Sequence, residues 1–132
     1  MIGIDTNVLV RAFAEEEDAA TAELAREVLR ALTPEEPGFI AQVTMAELYW
    51  VLSSRYRFDK QSCLEVIRGL IQAESLEFDD GEGVVRALAL AEEGADFPDA
   101  LIQGSMELFG ISETVTLDRA ASRALGWRLL GA

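Results

Sequence analysis

The sequence contains no histidine, a single cysteine, a single lysine and no apolar run approaching the length of a membrane span. Each shortage removes a class of chemistry. Without histidine, Ser-His-Asp hydrolases, histidine-dependent nucleases and ordinary zinc sites are excluded. Acid–base or metal chemistry then has to run on carboxylates, hydroxyls and water. The lone Cys63 has no partner for an internal disulfide and lies in a helical pattern beside Leu64 and Ile67, which reads as a core thiol. That usage fits a reducing compartment, so a cytoplasmic protein is expected. The N-terminus enters a strand pattern at once, which argues against a signal or transit sequence, and no membrane association is expected.

Positive charge is also scarce. Eleven Lys and Arg face 24 Asp and Glu, a net charge of −13. Such a field repels nucleic acid at long range, so a broad basic binding face is excluded. It attracts divalent cations and suits a basic protein partner. The 132 residues are half apolar, which suits one folded domain, 1–132, with one core.

The chain is organised around its opening stretch. Ile2 and Ile4 read as a short buried strand. Asp5 stops it, and Thr6-Asn7 start a helix through Val8 to Phe13. After the acidic turn Glu15-Glu16-Glu17-Asp18, a stripe of Ala20, Leu24, Val28, Leu29 and Leu32 predicts a second helix, with Arg26 and Arg30 on its polar side. Thr33 to Gly38 breaks it. A second strand follows at Phe39-Ile40-Ala41, and a helix opening at Thr44 runs to about Tyr56. Asp59 is placed to cap another helix, which carries Leu64, Ile67, Leu70 and Ile71. Leu76-Glu77-Phe78 reads as a third strand, and a helix over Val84 to Ala91 ends at Gly94. The next helix starts around Asp96 to Asp99 and ends at Gly110. Thr114-Val115-Thr116 is a fourth strand, Arg119 to Leu125 a short helix, and Trp127 to Leu130 a fifth strand. Strands alternating with helices predict an α/β fold with a parallel sheet covered on both faces.

Acids stand at the junctions: Asp5, Glu47, the pair Asp96 and Asp99, and Asp118. Each has a structural explanation. Thr44-x-x-Glu47 fits a capping box, Asp96 fits an N-cap with Pro98 in the first turn, and Asp5 and Asp118 fit caps of their own helices. Taken singly, each reads better as a cap than as a ligand. Capping does not explain why every major junction uses an acid in a chain with no histidine. In open parallel sheets ligands bind outside the carboxyl ends of the strands. Carboxylates gathered there repel unless a cation intervenes, and hard oxygen ligands suit Mg²⁺ or Mn²⁺. Such an ion activates a bound water and stabilises phosphoryl charge, a route to phosphodiester hydrolysis that needs no histidine.

Asp5-Thr6-Asn7-Val8-Leu9-Val10-Arg11 resembles the opening motif of PIN-domain ribonucleases, specifically VapC-type toxins. Thr44-Met45-Ala46-Glu47-Leu48 is similar to the second acidic motif of that family. Ala95 to Ile102 is similar to the third, and Thr116-Leu117-Asp118-Arg119 to the fourth. The resemblance covers nearly the whole chain, in order. It implies a three-layer α/β/α fold with a central parallel sheet of about five short strands. It also implies Mg²⁺- or Mn²⁺-dependent endoribonuclease activity, a homodimer, and a cognate antitoxin with a basic C-terminal segment. Carried over residue by residue, it makes Asp5, Glu47, Asp99 and Asp118 the catalytic, metal-holding acids and Asp96 a secondary one. Thr6, Asn7 and Thr116 match small polar positions that orient carboxylates or waters. Pro98 stands where that family often has a small residue. Arg11 and Arg119 are the candidates for RNA contact, with ordinary surface pairing as the alternative. Tyr49 and Trp50 read first as core residues; because one helix cannot bury both beside Leu48, the alternative is that one of them faces a partner or a dimer mate.

Three other readings compete. A signalling receiver domain is also α/β with an acidic Mg²⁺ pocket, but it needs a lysine at the end of a late strand, and Lys60 lies in a mid-chain turn. Phosphatases built on Asp-x-Asp need a second acid where Asn7 stands. A catalytically silent PIN domain acting as a binding module is the third reading, although all four acidic positions are filled.

Overall fold

The computed structural model describes residues 1–14 and 18–131. Glu15, Glu16 and Glu17 of the expected acidic turn lie outside the described residues. Among those described, seven helices alternate with five short strands, and every strand pairing is parallel. The α/β class and the position of each strand agree with the alternation in the sequence, but the opening strand, expected to be buried, has Ile2 and Gly3 exposed and only the following Ile4 in the core. The chain divides into two compact units, Met1–Gly81 and Glu82–Ala132.

The first unit is built on three strands in the order of their sequence: β1 (Ile2–Gly3), β2 (Gly38–Ile40) and β3 (Leu76–Phe78). Register pairs Ile2 with Gly38 and Gly38 with Leu76. Parallel neighbours need long crossovers, usually helical. Here α1 (Thr6–Phe13) and α2 (Ala19–Ala31) connect β1 to β2, and α3 (Gln42–Ser54) and α4 (Lys60–Gln72) connect β2 to β3. Gly38 sits where the strands crowd. A Cβ there would lie 2.8 Å from Leu32 Cδ1 and 3.1 Å from both Ile4 Cγ1 and Leu76 Cδ2. Any larger side chain at that point would have to displace the Leu32, Ile4 or Leu76 side chain.

The core of this unit gathers Ile4, Leu9, Val10, Ile40, Met45, Leu48, Leu52, Leu64, Ile67 and Leu70. Cys63 is fully buried among the α4 positions, and burial, with the nearby Asp59 charge, pushes its thiol pKa up. That is the inert core thiol expected from the sequence. Asp59 caps α4 as expected, accepting the Ser62 N–H at 2.7 Å.

Two local expectations are corrected. The buried face of α2 is Ala22 and Ala25, while Leu24 and Val28 are exposed at 63% and 39%. Leu24 and Val28 of the expected stripe thus lie on the surface while Leu29 and Leu32 are half-buried, and α2 packs on α1 with small residues inward. The second correction concerns α3, which begins two residues before Thr44, so Thr44 and Glu47 cannot form a capping box. Its N-cap is Ala41, which has no side-chain cap bond. The carboxylate of Asp79, just past β3, closes the helix start by accepting the Gln42 N–H at 2.6 Å. Gln42 Nε2 returns to the carbonyls of Asp79 and Asp80 at 3.0 and 3.3 Å.

The second unit contains α5 (Gly81–Glu92), α6 (Phe97–Leu108), β4 (Val115–Thr116), α7 (Arg119–Leu125) and β5 (Arg128–Leu129). Here α5 starts at the last residue of the first unit. Strands β4 and β5 pair in parallel across α7, Val115 with Arg128 and Thr116 with Leu129. So tight a crossover needs a sharp exit from α7, which Gly126 provides at φ +74, a left-handed C-cap that glycine adopts without steric cost. The Trp127 indole then lies buried, donating through Nε1 to Gln103 Oε1 at 2.6 Å. Val84, Leu88, Phe97, Ala100, Leu101 and Ala121 complete the interior.

Candidate functional site

In the first unit, Asp5 follows the buried Ile4 just past β1 and occupies the N-cap position of α1 with extended backbone (φ −81, ψ 157). Its carbonyl accepts the Val8 N–H at 3.1 Å, but its carboxylate makes no cap hydrogen bond. The side chain is exposed. Capping therefore does not account for the acid at this junction.

Thr6, the first residue of α1, is only 5% exposed, and its hydroxyl donates to Glu47 Oε1. This bond ties α1 to α3, two helices that pack together, and fixes one oxygen of Glu47 while the side chain stays open to solvent. Because Asp5 immediately precedes Thr6, the bond also ties Glu47 to the start of the helix that Asp5 caps. Asn7 and the half-buried Arg11 point away from the interior and, with Val8, Thr21, Leu24, Ala25 and Val28, line a groove of about 370 Å³. The Arg11 charge contributes to holding Asp18 below its usual pKa, after the larger effect of the Thr21 hydroxyl and N–H that Asp18 accepts in capping α2.

In the second unit, Asp96 caps α6 by accepting the Asp99 N–H through Oδ2 at 3.2 Å. Pro98, in the first turn, has no N–H to satisfy, so it fits the helix start without strain. Asp99 is half-buried in that first turn. Burial, followed by the Asp96 and Asp118 charges, raises its pKa above the usual carboxylate value. The Asp96 and Asp118 charges thus both bear on Asp99. Asp118 caps α7, accepting the Ala120 and Ala121 N–H groups at 2.8 and 3.2 Å through Oδ1. Its own N–H donates to Thr116 Oγ1 at 3.0 Å. Thr116 thus fixes the backbone of Asp118, and Oδ2 takes no part in the cap. Arg119, next in sequence, is exposed.

The expected residues thus fall into two sets: Asp5, Thr6 and Glu47 in one unit, and Asp96, Asp99, Thr116 and Asp118 in the other. Among the described residues no three acids are gathered closely enough to hold an ion. The donors are nonetheless of one kind, carboxylate oxygens with hydroxyl support, which is the set that Mg²⁺ and Mn²⁺ prefer.

The PIN domain family matches residues 2–125 of the chain. The chain belongs to the PIN domain family. No curated protein matches it. The match runs across both units, from β1 to the end of α7, and takes in every acid of the two sets. PIN domains are generally nucleases that use divalent metal ions, and they bind RNA and often act with antitoxins. The receiver-domain reading is accordingly set aside. For this PIN domain, sequence reading missed the role of Asp79 as the cap of the helix that carries Glu47. Nothing local could have pointed to it, because donor and acceptor are 37 residues apart.

Proposed function

We propose that this PIN domain, taken as one domain over 1–132, is a Mg²⁺- or Mn²⁺-dependent endoribonuclease and the toxin of a toxin–antitoxin pair. The observation that carries the reading is the Asp5 carboxylate, which stands at the helix start without capping it, next to the Thr6 hydroxyl that holds Glu47. The residues at the family's acidic positions, Asp5 and Glu47 in one unit and Asp99 and Asp118 in the other, would supply carboxylate oxygens for metal binding, with Asp96 in support. Once bound, a divalent ion supplies an activated water and a counter-charge for the phosphoryl group. The chain's own part is positional. Thr6 orients Glu47, Thr116 fixes the backbone of Asp118, and Asn7, matching a small polar position of the family, is proposed to orient a water or carboxylate. Arg11 and Arg119 offer cations to the RNA backbone in a chain that otherwise repels it. Family membership supports a cognate antitoxin, and the net charge of −13 steers a basic partner toward the chain. Its basic C-terminal segment places a cation among the acids. A cytoplasmic homodimer completes the proposal.

The test is RNA cleavage by the purified chain with Mg²⁺ or Mn²⁺ and then with excess chelator. Cleavage is expected only with metal, and undiminished cleavage in chelator overturns the mechanism. Antitoxin binding that is unaffected by reversing the charge of the four acids overturns the partner assignment.

A further inference from the structure

Helix α3 exposes one line of residues. Val43, Glu47, Trp50 and Ser54 recur at helical spacing and all are exposed, Val43 at 75% and Trp50 at 64%, while Met45, Leu48, Tyr49 and Leu52 of the same helix are buried. Glu47 and Trp50 are three residues apart, so they are neighbours on the helix surface. Long helical side chains lean back over the preceding turn. Trp50 and Glu47 therefore share one exposed face of the helix, with the half-buried Ala46 beside them. Glu47 is itself held by the Thr6 hydroxyl, so the exposed indole stands one helical turn from a carboxylate of defined position.

A polyanionic substrate meets few cations on this chain, 11 Lys and Arg against 24 acids. Stacking on an aromatic ring holds a single-stranded base without charge and without sequence preference. An exposed indole beside an acidic nuclease residue supplies that grip. We propose that Trp50 is the stacking platform for one base of the single-stranded RNA whose phosphodiester is presented at Glu47, a positioning residue for cleavage. The inference rests on the nuclease reading above.

The two tryptophans make the test direct. Trp127 is buried and hydrogen-bonded to Gln103, so the solvent-exposed emission belongs to Trp50. The intact protein is titrated with a short, labelled single-stranded oligoribonucleotide, with Ca²⁺ in place of Mg²⁺ to hold back cleavage. RNA is expected to quench the exposed emission, and Trp50→Leu to abolish that quench. By anisotropy, Trp50→Leu is expected to raise the Kd about tenfold, within the range that base–aromatic stacking supplies. Trp50→Phe, which still stacks, is expected to stay close to wild type. In cleavage, Trp50→Leu raises KM with kcat unchanged, the sign of lost uniform binding. Wild-type RNA affinity in Trp50→Leu overturns the proposal. So does a fall in sedimenting mass, which assigns the indole to a second copy of the chain. If the wild-type protein fails to cleave yet shows the Trp50-dependent quench, the nuclease reading falls while the base contact stands. If it cleaves and Trp50→Leu has unaltered kinetics, the contact falls while the nuclease reading stands.

Discussion

Replacing Asp99 by Asn separates a ligand from a helix-start residue. In the metal-free protein two effects oppose each other. Loss of a negative charge in the first turn of α6 costs about 0.3–1 kcal/mol of helix-dipole interaction. Against it, burial and the Asp96 and Asp118 charges raise the Asp99 pKa, so ionised Asp99 destabilises the fold. A carboxyl whose folded pKa lies above its unfolded value of 3.8 imposes no penalty below 3.8. The penalty grows as pH rises through the folded pKa and is complete above it. The metal-free variant is therefore expected to be at least as stable as wild type at pH 7, with that component of the difference vanishing below pH 3.8. Metal reverses the order. Saturation at about 100 times Kd stabilises the wild type by about 2.7 kcal/mol. An unfolding entropy of about 2.1 cal/mol/K per residue converts this to roughly 10 °C for 132 residues. The variant should lose most of that shift together with RNA cleavage. Thermal melts with and without Mg²⁺ or Mn²⁺, between pH 3 and 8, measure both quantities. A variant with the wild-type metal shift and wild-type cleavage removes Asp99 from the site.

Thr6→Val deletes the hydroxyl that holds Glu47 at a buried position, which is expected to cost about 1 kcal/mol by denaturant titration and to lower kcat. Thr6→Ser should restore both. Asp59→Ala removes the cap of α4 and should lower stability at neutral pH. The Ser62 N–H and hydroxyl hold the Asp59 pKa below 3.8, so that stability is present above 3.8 and is lost as pH falls through the lower folded value. Melts of the two proteins should therefore converge in strong acid.

The strands were legible because short apolar, β-branched runs such as Ile2 to Ile4 stand between clear turn signals, and the helices because their caps and glycine stops are local. Asp59, Asp96 and Asp118 cap the helices that local spacing assigned to them. Two readings failed where distance or size decided the outcome. The helical stripe of α2 follows hydrophobicity, but contact with α1 favours the small Ala22 and Ala25, leaving Leu24 and Val28 outside. The spacing of Thr44 and Glu47 imitates a capping box, yet the helix start is set by Asp79 from across the unit. For the candidate site, the junction acids could be picked out one by one. The Thr6–Glu47 bond could not, since 41 residues separate its ends.

The Asp79 cap also imposes an order in time. At translation rates of about 5–20 residues per second, the 37 residues between Gln42 and Asp79 take roughly 2–7 s to make. Until then the first amide of the helix bearing Glu47 lacks its carboxylate acceptor, however early the rest of that helix has formed. The acid at Glu47 is therefore anchored from both ends only after the third strand has left the ribosome.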